Sequence, residues 1–175
     1  TFCRHGQERG DILMIWKKKK NKDKSETWGK AARTGKWRST KSLIAKLDKT
    51  MSLYIRLRDV NKDGYFRCPT CGRYLPFAKG DCSHLWGRAH MSTRFDPDNM
   101  VMECAYDNRM NSSHLLELSR FFEKKLGTQR YELLRVKHNQ TKKWSNWELE
   151  QLIEYYEKET KRLKEEKKYD EWHKV

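Results

Sequence analysis

The stretch YFRCPTCGRYL, residues 65–75, contains two cysteines in a Cys-x-x-Cys spacing, with a glycine directly after the second. In a reduced protein this spacing is typical of a metal knuckle, which presents two thiolates to one side of a tetrahedral ion. The flanking residues 65–67 and 73–75 are predicted to form two short strands. A redox-active dithiol is the alternative, but the βαβ pattern of a thioredoxin-like fold is missing.

A second half of the metal site follows at CAYD, Cys104 to Asp107, which repeats the spacing with an aspartate in the last place. Zinc accepts carboxylate oxygen as well as thiolate sulfur. We therefore predict one structural zinc ion, held by Cys68, Cys71, Cys104 and Asp107. The alternative is that Cys104 is only a small buried residue and that no zinc is bound.

The overall composition favours a protein that binds polyanions. The 175 residues include 39 lysines and arginines against 24 acidic residues, a formal net charge of +15. Such a charge attracts nucleic acid or an anionic membrane surface. The longest apolar run, Ile12 to Trp16, is too short to span a bilayer, and no signal-peptide pattern precedes it. We therefore expect a cytoplasmic protein with no membrane association.

The positive charge is concentrated at the N-terminus. Residues 1–40 contain 12 lysines and arginines and 4 acidic residues, a balance of +8. The KKKKNKDKSE core of this segment has almost nothing to bury, so residues 1–40 are predicted to form a flexible basic arm. An artefact of cloning is the alternative explanation for the extreme N-terminus.

The remaining sequence predicts an α+β protein. Apolar residues at spacings of three and four indicate a helix over 42–58, and DVNKDG (59–64) is predicted to be a turn with Gly64 at its sharpest point. A second hairpin is expected from 78–86 and 99–102. Further helices are predicted over 104–127, over 128–136 and from a capping box at Ser145. We expect a zinc-bound core over 41–127 and a helical extension over 128–175.

Three polar residues follow one another in an order that is typical of HNH nucleases. His84 lies in GDCSHLWGRAH (80–90), Asn99 lies in the return of the second hairpin, and Asn108 follows the second half-knuckle. Phosphodiester hydrolysis needs a base for water, and a histidine with a near-neutral pKa can serve, so cleavage is expected to rise with pH through the neutral range. The reaction also needs a divalent cation, and an asparagine amide can brace the hairpin.

From Lys41 to Lys164 the sequence resembles the phage NinG/Rap recombination endonucleases, an HNH-type family. The resemblance runs through KLDKTMSLYIRLRD, GYFRCPTCG, DCSHLWGRAHMSTRFDPDN, ECAYDN and VKHNQTKKWSNWELEQLIEYY. It implies a zinc-stabilised ββα-metal core, treble-clef-like and flanked by helices. It also implies metal-dependent cleavage of branched recombination intermediates such as D-loops and Holliday-type junctions.

The resemblance also implies roles for particular residues. His84 would be the general base, Asn99 the structural asparagine and Asn108 a ligand of catalytic Mg²⁺ or Mn²⁺. The chain differs from the family at Asp107, where members usually have cysteine, and at His114, where they often have asparagine. Cys82 stands where many members carry a small residue, and it is the other candidate to complete the zinc site.

Two further residues could join the catalytic cation, Asp81 and His114. On a regular strand Asp81 and His84 face opposite ways, so Asp81 reaches the cation only if the strand bulges. His114 lies six residues after Asn108, which is the wrong helical face unless the helix begins later. For both, a contact with solvent or phosphate is an equal alternative.

Basic residues near the hairpin and in a later loop are predicted to contact DNA phosphates: Arg88, His90, Arg94, Lys137, Lys142 and Lys143. The main alternative to a nuclease is a zinc-stabilised DNA-binding accessory protein of recombination without catalysis. A homodimer and binding to other recombination proteins stay open.

Overall fold

The computed structural model describes residues 39–172, which form an α+β domain with two two-stranded antiparallel sheets. The predicted α+β class is confirmed. The basic arm predicted for residues 1–40 lies outside the described residues, apart from Ser39 and Thr40. The elements are α1 (Thr40–Asp59), β1 (Tyr65–Arg67), β2 (Tyr74–Pro76), β3 (Gly80–His84), β4 (Met100–Cys104), α2 (Ala105–Met110), α3 (His114–Leu126), α4 (Thr128–His138) and α5 (Asn146–Glu166).

The two long helices, α1 and α5, pack along each other and carry most of the main core. Ser39 caps α1 by accepting a hydrogen bond from the backbone of Ser42, and the predicted capping box of Ser145 and Glu148 starts α5. Their apolar faces meet at Tyr54 and Tyr156, whose ring centroids are 4.8 Å apart. None of the helices in residues 39–172 is long and apolar enough to cross a membrane.

The first hairpin, β1–β2, closes around the Cys-x-x-Cys turn. The backbone N–H of Cys68 donates to the carbonyl of Arg73 over 2.9 Å, and Gly72 takes a positive φ of 71°. Arg73 therefore belongs to the turn, and β2 begins one residue later than predicted. Gly64 before the hairpin has φ of 79°, so the predicted turn with glycine at its sharpest point is confirmed.

The second hairpin, β3–β4, runs in regular register from Gly80 opposite Cys104 to His84 opposite Met100. One face packs on the main core, where a Cβ atom on Gly80 would lie 2.3 Å from the side chain of Met102. The other face places Val101 in a second apolar cluster formed with α3 and α4. The sheet therefore lies between two cores.

The prediction of one continuous helix over 104–127 is wrong, because the helix ends at Met110 and a new one begins at His114. At the break the side-chain oxygen of Asn111 accepts from the backbone of Ser113, and its amide donates to Asp107. These bonds replace helical backbone bonds, which is the usual effect of Asn and Ser near a helix end. His114 therefore begins a new helix. Its direction relative to Asn108 cannot be deduced from the six residues that separate the two, because they do not share one helix.

Candidate metal centre and adjoining cleft

Within residues 39–172, one group of side chains has the composition and spacing for a metal ion: Cys68, Cys71, Cys104 and Asp107. Their ligand atoms all lie within 4.8 Å of one another. The sulfurs of Cys71 and Cys104 are 3.9 Å apart, and that of Cys104 is 3.0 Å from an oxygen of Asp107. A tetrahedral zinc ion with ordinary Zn–S bonds separates two sulfurs by roughly 3.8 Å. The cluster could therefore bind a metal such as zinc.

Backbone and side-chain donors surround the sulfurs of this cluster. The N–H of Cys104 points at the sulfur of Cys68 over 3.5 Å, and the N–H of Asp107 points at that of Cys104 over 3.4 Å. The guanidinium of Arg73 donates to the sulfurs of Cys71 and Cys104. Such donors orient ligands and offset the negative charge of a thiolate site. These hydrogen bonds to the sulfurs therefore suit a group of thiolates that holds a zinc ion.

The protonation of the cluster makes metal binding depend on pH. Burial raises the pKa of the Cys68 thiol to about 12 and also raises the pKa of Cys104. Burial alone would raise the pKa of Asp107, but hydrogen bonds led by that from Cys104 hold it below its usual range. A metal ion that binds here must displace thiol protons, so its affinity is expected to rise with pH.

Cys82 is not part of the cluster. It lies on β3 opposite Met102, and burial raises the pKa of its thiol to about 12. It is buried in the main core, and it also lines a cleft beside the sheet. Asp107, and not Cys82, therefore completes the group of four.

A cleft of about 320 Å³ opens where the end of β3 meets α2 and the start of α3. It brings together His84, Asn108 and His114, with Arg88 beside them and Leu85 and Leu115 as apolar lining. These residues are separated by up to 31 positions in sequence. The break between α2 and α3 places His114 in the same cleft as Asn108.

The imidazole of His84 is held in one tautomer. Its Nε2 lies 3.3 Å from the carbonyl oxygen of Arg94, and since a carbonyl only accepts, this nitrogen carries the proton and Nδ1 keeps its lone pair. Burial, followed by the positive charge of Arg88, lowers the pKa of His84 to about 4. The expectation of a near-neutral pKa is therefore wrong for this residue, and a rise of activity through the neutral range no longer follows from it.

Asn99 braces the loop that follows His84. It is fully buried, its side-chain oxygen accepts from the N–H of Trp86 over 2.8 Å, and its amide donates to the carbonyls of Trp86 and Thr93. Its own carbonyl accepts from Leu85. Asn99 therefore contacts backbone rather than the cleft, and any effect it has on chemistry passes through the loop.

Behind Asn108 and His114 lie two carboxylates that face each other across the sheet, Asp81 and Glu103. The amide of Asn108 donates to Asp81 over 3.4 Å, and the guanidinium of Arg109 makes two bonds to the same carboxylate. Nδ1 of His114 lies 3.1 Å from Glu103. The strand is regular, so Asp81 contacts Asn108 instead of bulging into the cleft.

Sequence reasoning missed Glu103. It is completely buried and also accepts a hydrogen bond from the hydroxyl of Thr70. The signal was present in MVMEC (100–104), where a glutamate interrupts an apolar strand directly before Cys104, a candidate metal ligand. A charged residue at a buried strand position needs partners, which marks it for attention.

The six predicted DNA contacts fall into two groups. Arg88, His90 and Lys143 are exposed, although the ring of His90 lies 3.9 Å from that of His138. The other three are ion-paired, with N···O distances of 2.5 to 2.7 Å: Arg94 with Asp48, Lys137 with Asp96 and Lys142 with Glu148. Contacts of these three with DNA stay predictions, and each would compete with an existing ion pair.

Comparison with protein families matches residues 4–166 to the family model described as bacteriophage lambda NinG protein. Searches of curated proteins and of solved structures return no match. Because the family match spans most of the chain, the protein belongs to the NinG family, which suggests a phage protein related to recombination.

Proposed function

We propose that this protein is a metal-dependent DNA endonuclease of the HNH type, which hydrolyses phosphodiester bonds in branched recombination intermediates in the host cytoplasm. The observation that carries the proposal is the cleft itself. A histidine with a free, neutral ring nitrogen shares it with an asparagine and a second histidine, both backed by carboxylates. A protein that only binds DNA has no need of this combination.

The order of the elements supports a ββα-metal core. The antiparallel strands β3 and β4 lead directly into α2, and the Cys-x-x-Cys turn of the first hairpin meets the junction of β4 and α2 at the four-residue cluster. Zinc in that cluster would hold the small first hairpin to the rest of the core. Its role would be structural, since all four ligand positions belong to the protein.

His84 has the properties of a general base. Its Nδ1 can accept a proton from water, and the hydrogen bond from Nε2 to Arg94 keeps the ring in position. Burial keeps the imidazole in the neutral form that can accept a proton at pH 7, and the same shift of the pKa makes it a weaker base than an exposed histidine. Asn99 contributes by fixing the backbone at Trp86, two residues after the base.

The donor atoms in the cleft also fit a divalent cation such as Mg²⁺ or Mn²⁺. The side-chain NH₂ of Asn108 donates to Asp81, so the side-chain oxygen of Asn108 remains available as a ligand. The hydrogen bond from Nδ1 of His114 to Glu103 likewise leaves Nε2 of His114 available. A cation held by these atoms would offset charge on the phosphate and on the leaving 3′ oxygen. Asp81 itself would not bind the cation but would orient Asn108 through their hydrogen bond.

DNA would be attracted by the charge of the chain and held by its phosphates. The first 40 residues contribute +8 of the +15, and Arg88 and Lys143 are exposed, with Arg88 at the cleft. Backbone contacts of this kind position a nucleic acid without reading its sequence, which suits a nuclease that recognises branched shape. A second copy of the chain or a recombination protein could share the same DNA.

One assay separates this function from non-catalytic DNA binding in recombination. Zinc-loaded protein is incubated with Mg²⁺ or Mn²⁺ on linear duplex, flap, D-loop and four-way junction DNA, beside His84→Ala and the control Glu154→Ala, which changes an exposed residue of α5. We expect cleavage of branched DNA by the parent and by the control, and loss of cleavage with retained DNA affinity in His84→Ala. Tight binding without cleavage by the parent would favour the accessory protein.

A further inference from the structure

Glu103 occupies a position between the zinc cluster and the cleft. It is fully buried on β4, directly before the metal-ligand residue Cys104, and it contacts one residue on each side. On one side the hydroxyl of Thr70 donates to Oε1, and on the other Nδ1 of His114 lies 3.1 Å from Oε2. A carboxylate with no access to water needs such partners.

These contacts dictate the tautomer of His114. The side chain of Glu103 already accepts from Thr70, and in the same acceptor role toward His114 it gives the proton to Nδ1. In the neutral ring the lone pair then resides on Nε2. Metal-binding histidines have this arrangement as a rule, with the non-ligating nitrogen donating to a carboxylate that fixes the ring.

Thr70 connects the same carboxylate to the first hairpin. It lies between Cys68 and Cys71 in the Cys-x-x-Cys turn, so the position of its hydroxyl depends on how that turn closes around a metal. Two consecutive residues of β4 thus serve two sites. Cys104 belongs to the zinc cluster, and Glu103 reaches the wall of the cleft.

We infer that Glu103 is a positioning residue, which holds His114 with Nε2 ready to bind the cation of the cleft and couples this to the zinc turn through Thr70. The inference rests on the proposed function, because it takes the cleft to bind a divalent cation. Asp81, opposite Glu103 in the sheet, orients Asn108 in the same manner. The paired carboxylates therefore prepare one nitrogen and one oxygen ligand.

The alternative is that Glu103 and His114 form a buried pair of purely structural use. Removing one partner would then lower stability without a specific effect on cation binding. The two explanations differ in the ring nitrogen of His114 that carries the proton and in the affinity for Mn²⁺. Neither quantity requires catalysis to be measured.

The experiment uses the full zinc-loaded chain and its variants Glu103→Gln, Thr70→Val and the control Glu148→Gln. Glu148 is, like Glu103, a carboxylate with hydrogen-bond donors around it, but it is only partly buried and caps α5. Ring ¹⁵N shifts, assigned with His114→Gln, report the tautomer, and electron paramagnetic resonance titration reports the Mn²⁺ dissociation constant. Zinc content is measured in every sample.

For the parent we expect Nδ1–H on His114. In Glu103→Gln we expect a loss of this single tautomer and Mn²⁺ binding weakened by about 10–100-fold, with zinc content unchanged. Thr70→Val should change both in the same direction by a smaller factor, and Glu148→Gln should change neither. Unaltered Mn²⁺ affinity and tautomer in Glu103→Gln would overturn the inference.

The parent protein alone also tests the inference, in case Glu103→Gln does not fold. A proton on Nε2 of His114, or no Mn²⁺ binding to the zinc-loaded parent, overturns it without any variant. The proposed function fails separately, if Mn²⁺ binds with the expected dependence on Glu103 but branched DNA is not cleaved.

Discussion

His84 and Arg94 are joined by a hydrogen bond of 3.3 Å between Nε2 of the imidazole and the backbone carbonyl oxygen. Arg94 is itself anchored, because its guanidinium forms two bonds with Asp48 on α1. The orientation of the candidate base therefore depends on Asp48 of α1, which lies 36 residues before His84 in the chain. A contact of this kind fixes both the position and the tautomer of the ring.

Replacing His84 by alanine should lower the cleavage rate by about 10²–10⁴-fold, the usual contribution of a general base. Affinity for branched DNA and zinc content should stay at the parental level, because the side chain does not contact the metal cluster. Single-turnover cleavage and a binding titration on the same junction measure the two effects. Equal rates for the variant and the parent would place the base elsewhere.

The pH profile should distinguish a buried histidine from an exposed one. Burial lowers the pKa of His84 to about 4, below its usual value of 6.5, so the basic form persists well into the acid range. Between about pH 6 and 8 the parental rate should show no midpoint that belongs to this imidazole. A midpoint near 6.5 that disappears in His84→Ala would contradict the buried, neutral state.

The same shift contributes to stability. Because the folded pKa lies below the unfolded one, the folded state favours the neutral ring, and this stabilisation is complete above pH 6.5 and is lost as the pH falls toward about 4. The free energy of unfolding of His84→Ala should therefore depend less on pH over this interval than that of the parent. Denaturant titrations at several pH values provide the comparison. Parallel curves for the two proteins would argue against the shift.

Metal analysis should find about one zinc ion per chain. Cys68→Ser should lose zinc and cooperative unfolding together, since the cluster joins the first hairpin to the junction of β4 and α2. Asp107→Cys should keep or tighten zinc binding. Cys82→Ser, which changes a buried cysteine outside the cluster, is the matched control and should keep the metal. A folded protein without zinc would refute the metal centre.

Asn99→Ala should destabilise the protein by about 2 kcal/mol or more, because it leaves buried backbone groups of Trp86 and Thr93 without partners. Asn99→Asp keeps the acceptor for Trp86 but loses the amide donor, and it should also destabilise. Denaturant unfolding measures both variants. If neither loses stability, the loop after His84 is held by other contacts.

The basic N-terminal segment, residues 1–40, should account for much of the affinity for DNA. Changing Lys17, Lys18, Lys19 and Lys20 to glutamine should weaken binding to linear and branched DNA alike and flatten the salt dependence, because fewer counterions are released. Changing the same four residues to arginine keeps the charge and should preserve both quantities. Binding titrations over a range of salt concentrations test this. If the affinity of all three proteins fell with salt at the same slope, these four lysines would make no contribution to DNA binding.

Local patterns in the sequence were sufficient for the helices α1 and α5, the Cys-x-x-Cys turn and the four residues of the metal cluster. Each depends on neighbours in the chain: the spacing of apolar residues, a cap such as Ser145, or two ligands three residues apart. The break at Asn111 could not be foreseen from periodicity, because a bond between its amide and Asp107 competes with the helical backbone. The order of His84, Asn99 and Asn108 along the chain also identified these three residues as candidates for the site from the sequence alone.

Tertiary structure decided the state of these residues. Burial at the end of β3 sets the pKa of His84, and the carbonyl of Arg94 selects its tautomer. The pairing of β3 with β4 places Asp81 opposite Glu103 and so gives Asn108 and His114 their carboxylate partners. Desolvation and hydrogen bonds between distant residues exist only once the strands and helices have packed, whereas spacing along the chain is present before folding begins.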